Sequence, residues 1–147
     1  MRTRIHLEDN AESSQTTRLS GVVKALLAGL MAVNAGLFFF GAVQHAGFTI
    51  GPFHEPRIVP ATLVESLCGL SLLWGAARIS NKQAIDSRIA LTSNCVALSG
   101  VLLGIAALAL GAGPRTTSND LYHRIMLILI GASLLALVCG RSLANRR

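Results

Sequence analysis

The chain has 147 residues, of which 52% are hydrophobic and only 14% are charged. A soluble domain carries about 25% charged residues, so the composition excludes an ordinary soluble protein and favours a membrane protein. The formal net charge of +6 does not indicate nucleic-acid binding, because the basic residues follow a pattern that membrane orientation explains. No nucleic-acid partner is therefore expected.

Long apolar runs, separated by short polar segments, make up most of the chain. A helix needs about 20 apolar residues to cross a hydrocarbon core of about 30 Å, and in lipid every backbone amide must be paired internally. We therefore predict an all-α, integral membrane four-helix bundle within residues 21–140. The four helices are predicted at about 21–44, 60–77, 89–110 and 121–140.

The chain begins with a polar segment, residues 1–20, which is predicted to form a flexible cytoplasmic tail. In the first helix, Asn34 and His45 lie about three turns apart and therefore share one face. An unpaired amide in hydrocarbon is costly, so this face should point into the bundle. The first helix thus predicts a polar stripe that ends at His45.

The segment 45–65 joins the first two helices and is unusually rich in polar and ionisable residues. Pro60 fits the first turn of the second helix, where a missing N–H costs nothing. Glu65 follows about one turn inside that helix, and ionisable residues within a membrane span are usually functional or paired. A structural role would be an ion pair of Glu65 with Arg124, or with Arg57.

The third helix carries a stripe of small residues and one buried amide. Gly100 and Gly104 form a GxxxG pair in this stripe. Small residues let membrane helices approach closely, so the stripe is either a dimer seam or an intramolecular contact. We favour the intramolecular contact, because a four-helix chain has internal partners to satisfy first. Asn94 should face protein, like Asn34, and both are expected to bond between helices.

The fourth helix follows the turn GAGPRTTSND, in which Ser118, Asn119 or Asp120 can serve as the N-cap. Asp120 and His123 are three residues apart and therefore lie on one helical face. Together with the end of the first helix and the start of the second, they define a candidate site.

Histidines on separate segments could hold a haem group, and histidines with carboxylates could hold a metal ion. The candidate cofactor ligands are His45, His54 and His123. The candidate metal ligands are His45, Glu65, Asp120 and His123. Their spacing matches no compact metal motif, so the cofactor stays unknown, with haem or a metal ion as the class these residues would suit.

Basic residues are distributed unevenly about the four runs. Ten of the 13 lysines and arginines lie before the first run, between the second and third, or after the fourth. This is the positive-inside asymmetry, and it predicts a multi-pass protein of the cell membrane with both termini cytoplasmic. Residues 141–147 then form a basic cytoplasmic tail. The three cysteines lie within apolar runs and are given no role.

The two halves of the chain show a weak similarity that is compatible with two tandem helical hairpins. No soluble catalytic motif is present, so an enzyme is not favoured. The expected function is an accessory or interaction subunit of a membrane assembly, with a polar cluster on its outer face. Its expected partners are the bilayer, other membrane subunits or a second copy. A haem- or metal-binding redox component and a small proton-coupled transporter stay open as alternatives.

Overall fold

The structure, a computed structural model, describes the backbone of residues 2–51, 55–81, 87–113 and 115–144. Within these ranges the chain forms four α-helices: α1 (Arg2–His45), α2 (Val59–Asn81), α3 (Ser87–Ala109) and α4 (Thr117–Ala144). Each contains a segment of at least 22 residues that is long and apolar enough to cross a membrane. The predicted all-α four-helix bundle is confirmed, and these apolar helices indicate a multi-pass membrane protein.

Two helices extend beyond their predicted bounds into polar sequence. The α1 helix begins at Arg2, so residues 2–20 are helical where a flexible tail is predicted from the sequence. This segment contains no glycine or proline, the residues that most disfavour a helix interior. The α4 helix starts at Thr117 and continues to Ala144, into the predicted basic tail. The last residues, 145–147, lie outside the described part of the chain.

The first helix of each hairpin ends in the same kind of turn. Gly47 has a φ of 100°, and the amide of Phe48 donates to the carbonyl of Val43 at 3.2 Å. Gly111 has a φ of 71°, and the amide after it makes the equivalent bond at 2.9 Å. These are Schellman motifs, which need a left-handed residue that glycine adopts without a Cβ penalty. The chain is therefore two tandem hairpins, α1–α2 and α3–α4, that turn back at the same end.

The helices pack in chain order around the bundle, and α4 closes the ring against α1. The α1–α2 interface is the most extensive of the four, and the α1–α4 interface is the smallest. The core contains large side chains that are essentially inaccessible: Met31, Phe38, Leu72, Ile79, Met126 and Ile130. Large apolar side chains also cover the outside of the bundle, such as Leu26 and Ile128, which suits contact with lipid tails.

The small-residue stripe of α3 packs within the chain. Gly100 lies against Cys68 of α2, and Gly104 lies against His123 of α4, so closely that a Cβ at either glycine would overlap its neighbour. Both glycines therefore contact helices of the same chain. The close approach of α3 to both neighbours depends on the absence of side chains at these two positions.

The two buried asparagines differ in their partners. Asn34 donates its side-chain amide to the Ser133 hydroxyl of α4 at 3.3 Å, which links two helices as expected. Asn94 instead donates to the carbonyl of Ala90, one turn earlier in its own helix, at 2.9 Å. Buried polar side chains in a helix often bond to the preceding turn, so helical phase alone did not identify the Asn94 partner.

Gly100 and Gly131 provide a matched test of close packing. Gly100→Ala is expected to lower the free energy of unfolding by about 1–3 kcal/mol, because the new methyl group overpacks against Cys68. Gly131→Ala is the control, because a Cβ there meets nothing within 4 Å. Equilibrium unfolding in mixed micelles, followed by circular dichroism, measures both changes. Equal losses in the two variants would contradict the proposed packing.

Candidate functional site

Buried polar side chains gather at one end of the bundle, where α1 and α3 end and α2 and α4 begin. We call this the site end. Its polar cluster has members from α1, α2, α4 and the α1–α2 loop: Gln44, His45, Glu55, Glu65, Asn119, Tyr122 and His123. All are buried except Tyr122, which is partly buried. A bundle that only spans a membrane needs no such group.

His45 and Glu65 form the centre of the cluster. The imidazole Nδ1 lies 2.8 Å from Glu65 Oε2, and the two residues are only 4% and 6% exposed. An ionised carboxylate can only accept, so Nδ1 carries the proton of this hydrogen bond. The amide of Ile58 donates to the His45 carbonyl at 2.8 Å, which holds the chain entering α2 against the end of α1.

Tyr122 brings α4 to the same carboxylate. Its hydroxyl donates to the Leu37 carbonyl of α1 at 3.5 Å and lies beside the Glu65 carboxylate. A Cβ at Gly41 would lie 2.7 Å from Glu65 Oε1 and 2.8 Å from the Tyr122 hydroxyl, so both groups sit directly over this glycine of α1. Glu65 is thus carried by α2 and contacted by residues of α1 and α4.

The structure gives Glu65 different partners from the arginines proposed on sequence grounds. Arg124 and Arg57 are both exposed, whereas the Glu65 carboxylate bonds to His45 and lies beside the Tyr122 hydroxyl. Successive residues of an α-helix differ by about 100° in direction. Because His123 faces the interior, Arg124 faces outward, although it lies at the depth that suggested the pairing.

His123 is oriented by its own helix. Its Nδ1 lies 2.9 Å from the carbonyl oxygen of Asn119, so Nδ1 donates and Nε2 is left on the side that faces Gly104 of α3. Its ring also meets the Tyr122 ring edge to face, with the centroids 5.3 Å apart. Such geometry is typical of a favourable aromatic pair and fixes both rings.

Glu55 connects the α1–α2 loop to the start of α4. Its Oε1 accepts hydrogen bonds from the Thr116 hydroxyl at 2.7 Å and from the Ser118 hydroxyl at 2.6 Å. A carboxylate near a helix N-terminus is stabilised by the helix dipole. Thr116 also accepts the Asn119 amide at 3.1 Å. The α4 cap is therefore Thr116, two to four residues earlier than the caps proposed from the sequence.

The proposed metal ligands are not brought together as a group. Asp120 is bound by the exposed Arg115 at 3.0 Å, and His54 lies outside the described residues. Among the residues that the structure describes, no three or more His, Cys, Asp and Glu side chains are placed to hold one metal ion. His45 and Glu65 do meet, and His123 joins them in lining a second cavity.

A cleft of about 310 Å³ runs between α1 and α4 at the site end. We call it the α1–α4 cleft; its walls include Leu37, Phe40, Glu55, Ile125 and Met126. Side chains that line it carry buried polar atoms for which the described residues supply no partner: Gln44 Nε2, His45 Nε2, Glu55 Oε2 and Asn119 Oδ1. Each such atom costs about 1–3 kcal/mol if it stays unpaired. The lining of the cleft therefore presents polar atoms that are open to a polar partner outside the described residues.

A second cavity of about 260 Å³ lies on the α2–α3 side of the same residues. His45 and Asn119 line both cavities, and Glu65, Gly104 and His123 line the second. The polar cluster therefore forms a wall between two mostly apolar spaces.

Several residues of this site have no place in the sequence prediction. Gln44 has a visible signal, because it is an amide next to His45 in an otherwise apolar run. Tyr122 looks like an interfacial aromatic residue that extends the fourth helix, and only the packing shows that it reaches Glu65. Thr116 lies in a turn with four other possible capping residues, so its role depends on where the helix starts.

A double-mutant cycle separates the two pairings of Glu65. We expect Glu65→Leu and His45→Leu to couple by about 1–3 kcal/mol in unfolding free energy, because each single change leaves the other polar group buried without its partner. Glu65→Leu with Arg124→Leu is the control, and these effects should add because Arg124 is exposed. Coupling to Arg124 but not to His45 would refute this assignment.

Comparison of the chain with known protein families, with curated proteins and with solved structures finds no match.

Proposed function

We propose that the protein is a non-catalytic accessory component of a membrane assembly and that its polar cluster holds a ligand at the site end. The observation that supports this proposal is the set of unpartnered polar atoms around the α1–α4 cleft. Residues that only support a bundle are normally hydrogen-bonded when buried, whereas ligand sites keep polar groups free at a cost in stability. The cluster therefore fits a binding role better than a purely structural one.

The charge pattern supports an orientation for this site. The site end carries three basic residues, Arg57, Arg115 and Arg124. In the sequence, the other ten precede the first apolar run, fall between the second and third, or follow the fourth. By the positive-inside rule both termini face the cytoplasm and the site end faces outward, in the cell membrane. The ligand is then one that reaches the protein from the outer leaflet or from outside the cell.

Retention of a ligand can be tested in the intact protein. We expect native mass spectrometry, after mild extraction from the membrane, to show a species bound one to one to the wild type. The double change His45→Leu and Glu55→Leu should abolish it, because both polar contacts are removed. Asp120→Leu is the control, since Asp120 pairs with Arg115 outside this cleft.

Stability gives a second measurement that needs no ligand. Gln44→Met removes an unpartnered buried amide and keeps the side-chain length, so the ligand-free protein should unfold at the same or a higher denaturant concentration. Two results together would contradict the proposal and indicate a purely structural cluster. They are the absence of any bound species from the wild type and a loss of stability in Gln44→Met.

A second candidate is a redox component that binds haem or a metal through histidines. The observation that favours this candidate is the orientation of the two histidine rings of the cluster, His45 and His123. His45 and His123 each donate Nδ1–H to a fixed oxygen, which leaves Nε2 free. Metal-binding histidines are usually held in this way by a carboxylate or a carbonyl.

The redox candidate predicts a spectroscopic or elemental signature. Protein produced in cells supplied with haem precursor and transition metals should show Soret absorbance or stoichiometric metal, both lost in His45→Leu. Asp120→Leu again serves as the control. Absence of both signals from folded wild-type protein would rule this candidate out.

Proton-coupled transport has less support from the packing. On the α1 and α4 sides, Phe38, Met126 and Ile130 occupy the turns between the polar cluster and the Asn34–Ser133 bond, and all three are buried. Apolar side chains of this kind leave the two polar layers unconnected. A relay that crosses the membrane would need a continuous chain of polar groups or water.

A further inference from the structure

We propose that the α1–α4 cleft binds a membrane phospholipid with a primary-amine head group, the ammonium lying among Glu55, His45 and Asn119. This inference rests on the proposed binding function and specifies its ligand. It is carried by the number and kind of unpaired atoms in the cleft, by the charge of the cleft and by its position on the surface of the bundle.

Three of the four unpartnered polar atoms around the cleft match the donors of a primary ammonium, whereas the fourth, Gln44 Nε2, is itself a donor. Glu55 Oε2 and Asn119 Oδ1 are acceptors without a partner among the described residues. His45 Nε2 is a third acceptor when the ring is neutral, because the single ring proton then lies on Nδ1, toward Glu65. An ammonium group has three N–H donors and no acceptor. Each of these three residues is more than nine-tenths buried, and each lines the cleft.

The charge of the cleft selects a cation. Glu55 contributes one full negative charge, while the start of α4 beside it contributes about half a positive charge through the helix dipole. With the His45 ring neutral, the His45–Glu65 pair adds a further negative charge next to the cleft. No lysine or arginine among the described residues lines this cleft. The net field is therefore negative, and it disfavours an anionic head group.

The remaining walls of the cleft suit a hydrocarbon chain. From Leu37 to Gln44 the α1 wall extends about 10 Å along the helix, and its other residues include Phe40. On the α4 side, Leu121 and Ile125 line the cleft and are also exposed on the surface of the bundle. The cleft is therefore open toward the lipid-facing side, so an acyl chain can enter from within the bilayer.

The rim offers a partner for the phosphate of such a lipid. Arg115 is exposed, pairs with Asp120 at 3.0 Å, and precedes Thr116, whose hydroxyl binds Glu55. Arg57 is also exposed and lies two residues after Glu55. An ammonium held inside and a phosphate held by rim arginines would match the alternating charges of an ethanolamine phospholipid.

The test compares lipids that differ only in the head group. Delipidated full-length protein in neutral detergent is titrated with phosphatidylethanolamine, phosphatidylcholine and phosphatidylglycerol of identical acyl chains, and bound lipid is counted by native mass spectrometry. We expect the ethanolamine lipid to bind about ten-fold more tightly than the choline lipid, which has the same charge but no N–H donors. Equal binding of these two lipids would overturn the inference without using any variant.

Glu55→Gln identifies the residue that gives this preference. It keeps an oxygen for the Thr116 and Ser118 hydroxyls but removes the charge, so we expect the preference to fall about ten-fold while the helix content is unchanged. Asp120→Asn is the matched control and should keep the preference. An unchanged preference in Glu55→Gln would overturn the inference.

The two proposals fail in different ways. If a native species is retained through His45 and Glu55 but ethanolamine lipid does not displace it, the binding function stands and the lipid assignment is wrong. If neither a native species nor any lipid is bound by folded wild-type protein, the binding function itself is wrong.

Discussion

The arrangement of the site end depends on one buried hydrogen bond, between His45 and Glu65 at 2.8 Å. An ionised carboxylate away from water is costly unless charged or polar partners surround it. The sequence places Glu65 within the apolar start of α2, so partners must come from other helices. His45 supplies one from α1, and the Tyr122 hydroxyl of α4 lies beside the carboxylate. The need to satisfy one carboxylate thus fixes how three helices meet.

Close packing and polar contact support each other in this bundle. Gly41 leaves room over which Glu65 and Tyr122 can meet, and Gly104 leaves room for His123. In lipid, helices gain little from burying apolar side chains against one another, so small residues and polar bonds must hold them together. The glycines therefore do more than bring backbones close. They create the spaces in which the polar cluster is assembled.

The architecture could be predicted from the sequence because long uncharged runs have a single physical solution in lipid. Helical phase also predicted that Asn34 and His45 face inward, and both are buried. The partners of these residues could not be predicted, because they depend on the rotation of each helix about its own axis. His123 and Arg124 are consecutive residues and therefore differ by about 100° in direction, so His123 faces inward whereas Arg124 is exposed. The bonds of Glu55 depend on the path of a loop, for which no periodicity exists.

The bonds between the α1–α2 loop and the start of α4 have a consequence for the order in which the molecule is assembled. Glu55 bonds to Thr116 and Ser118, which follow it by 61 and 63 residues. Contacts this distant in sequence form late, because the intervening chain must first be ordered. During synthesis, α1 and α2 are complete well before α4 emerges. The Glu55 carboxylate therefore stays in water or at the lipid head groups until the last helix is in place. The bundle is complete when Thr116 and Ser118 bond to this carboxylate.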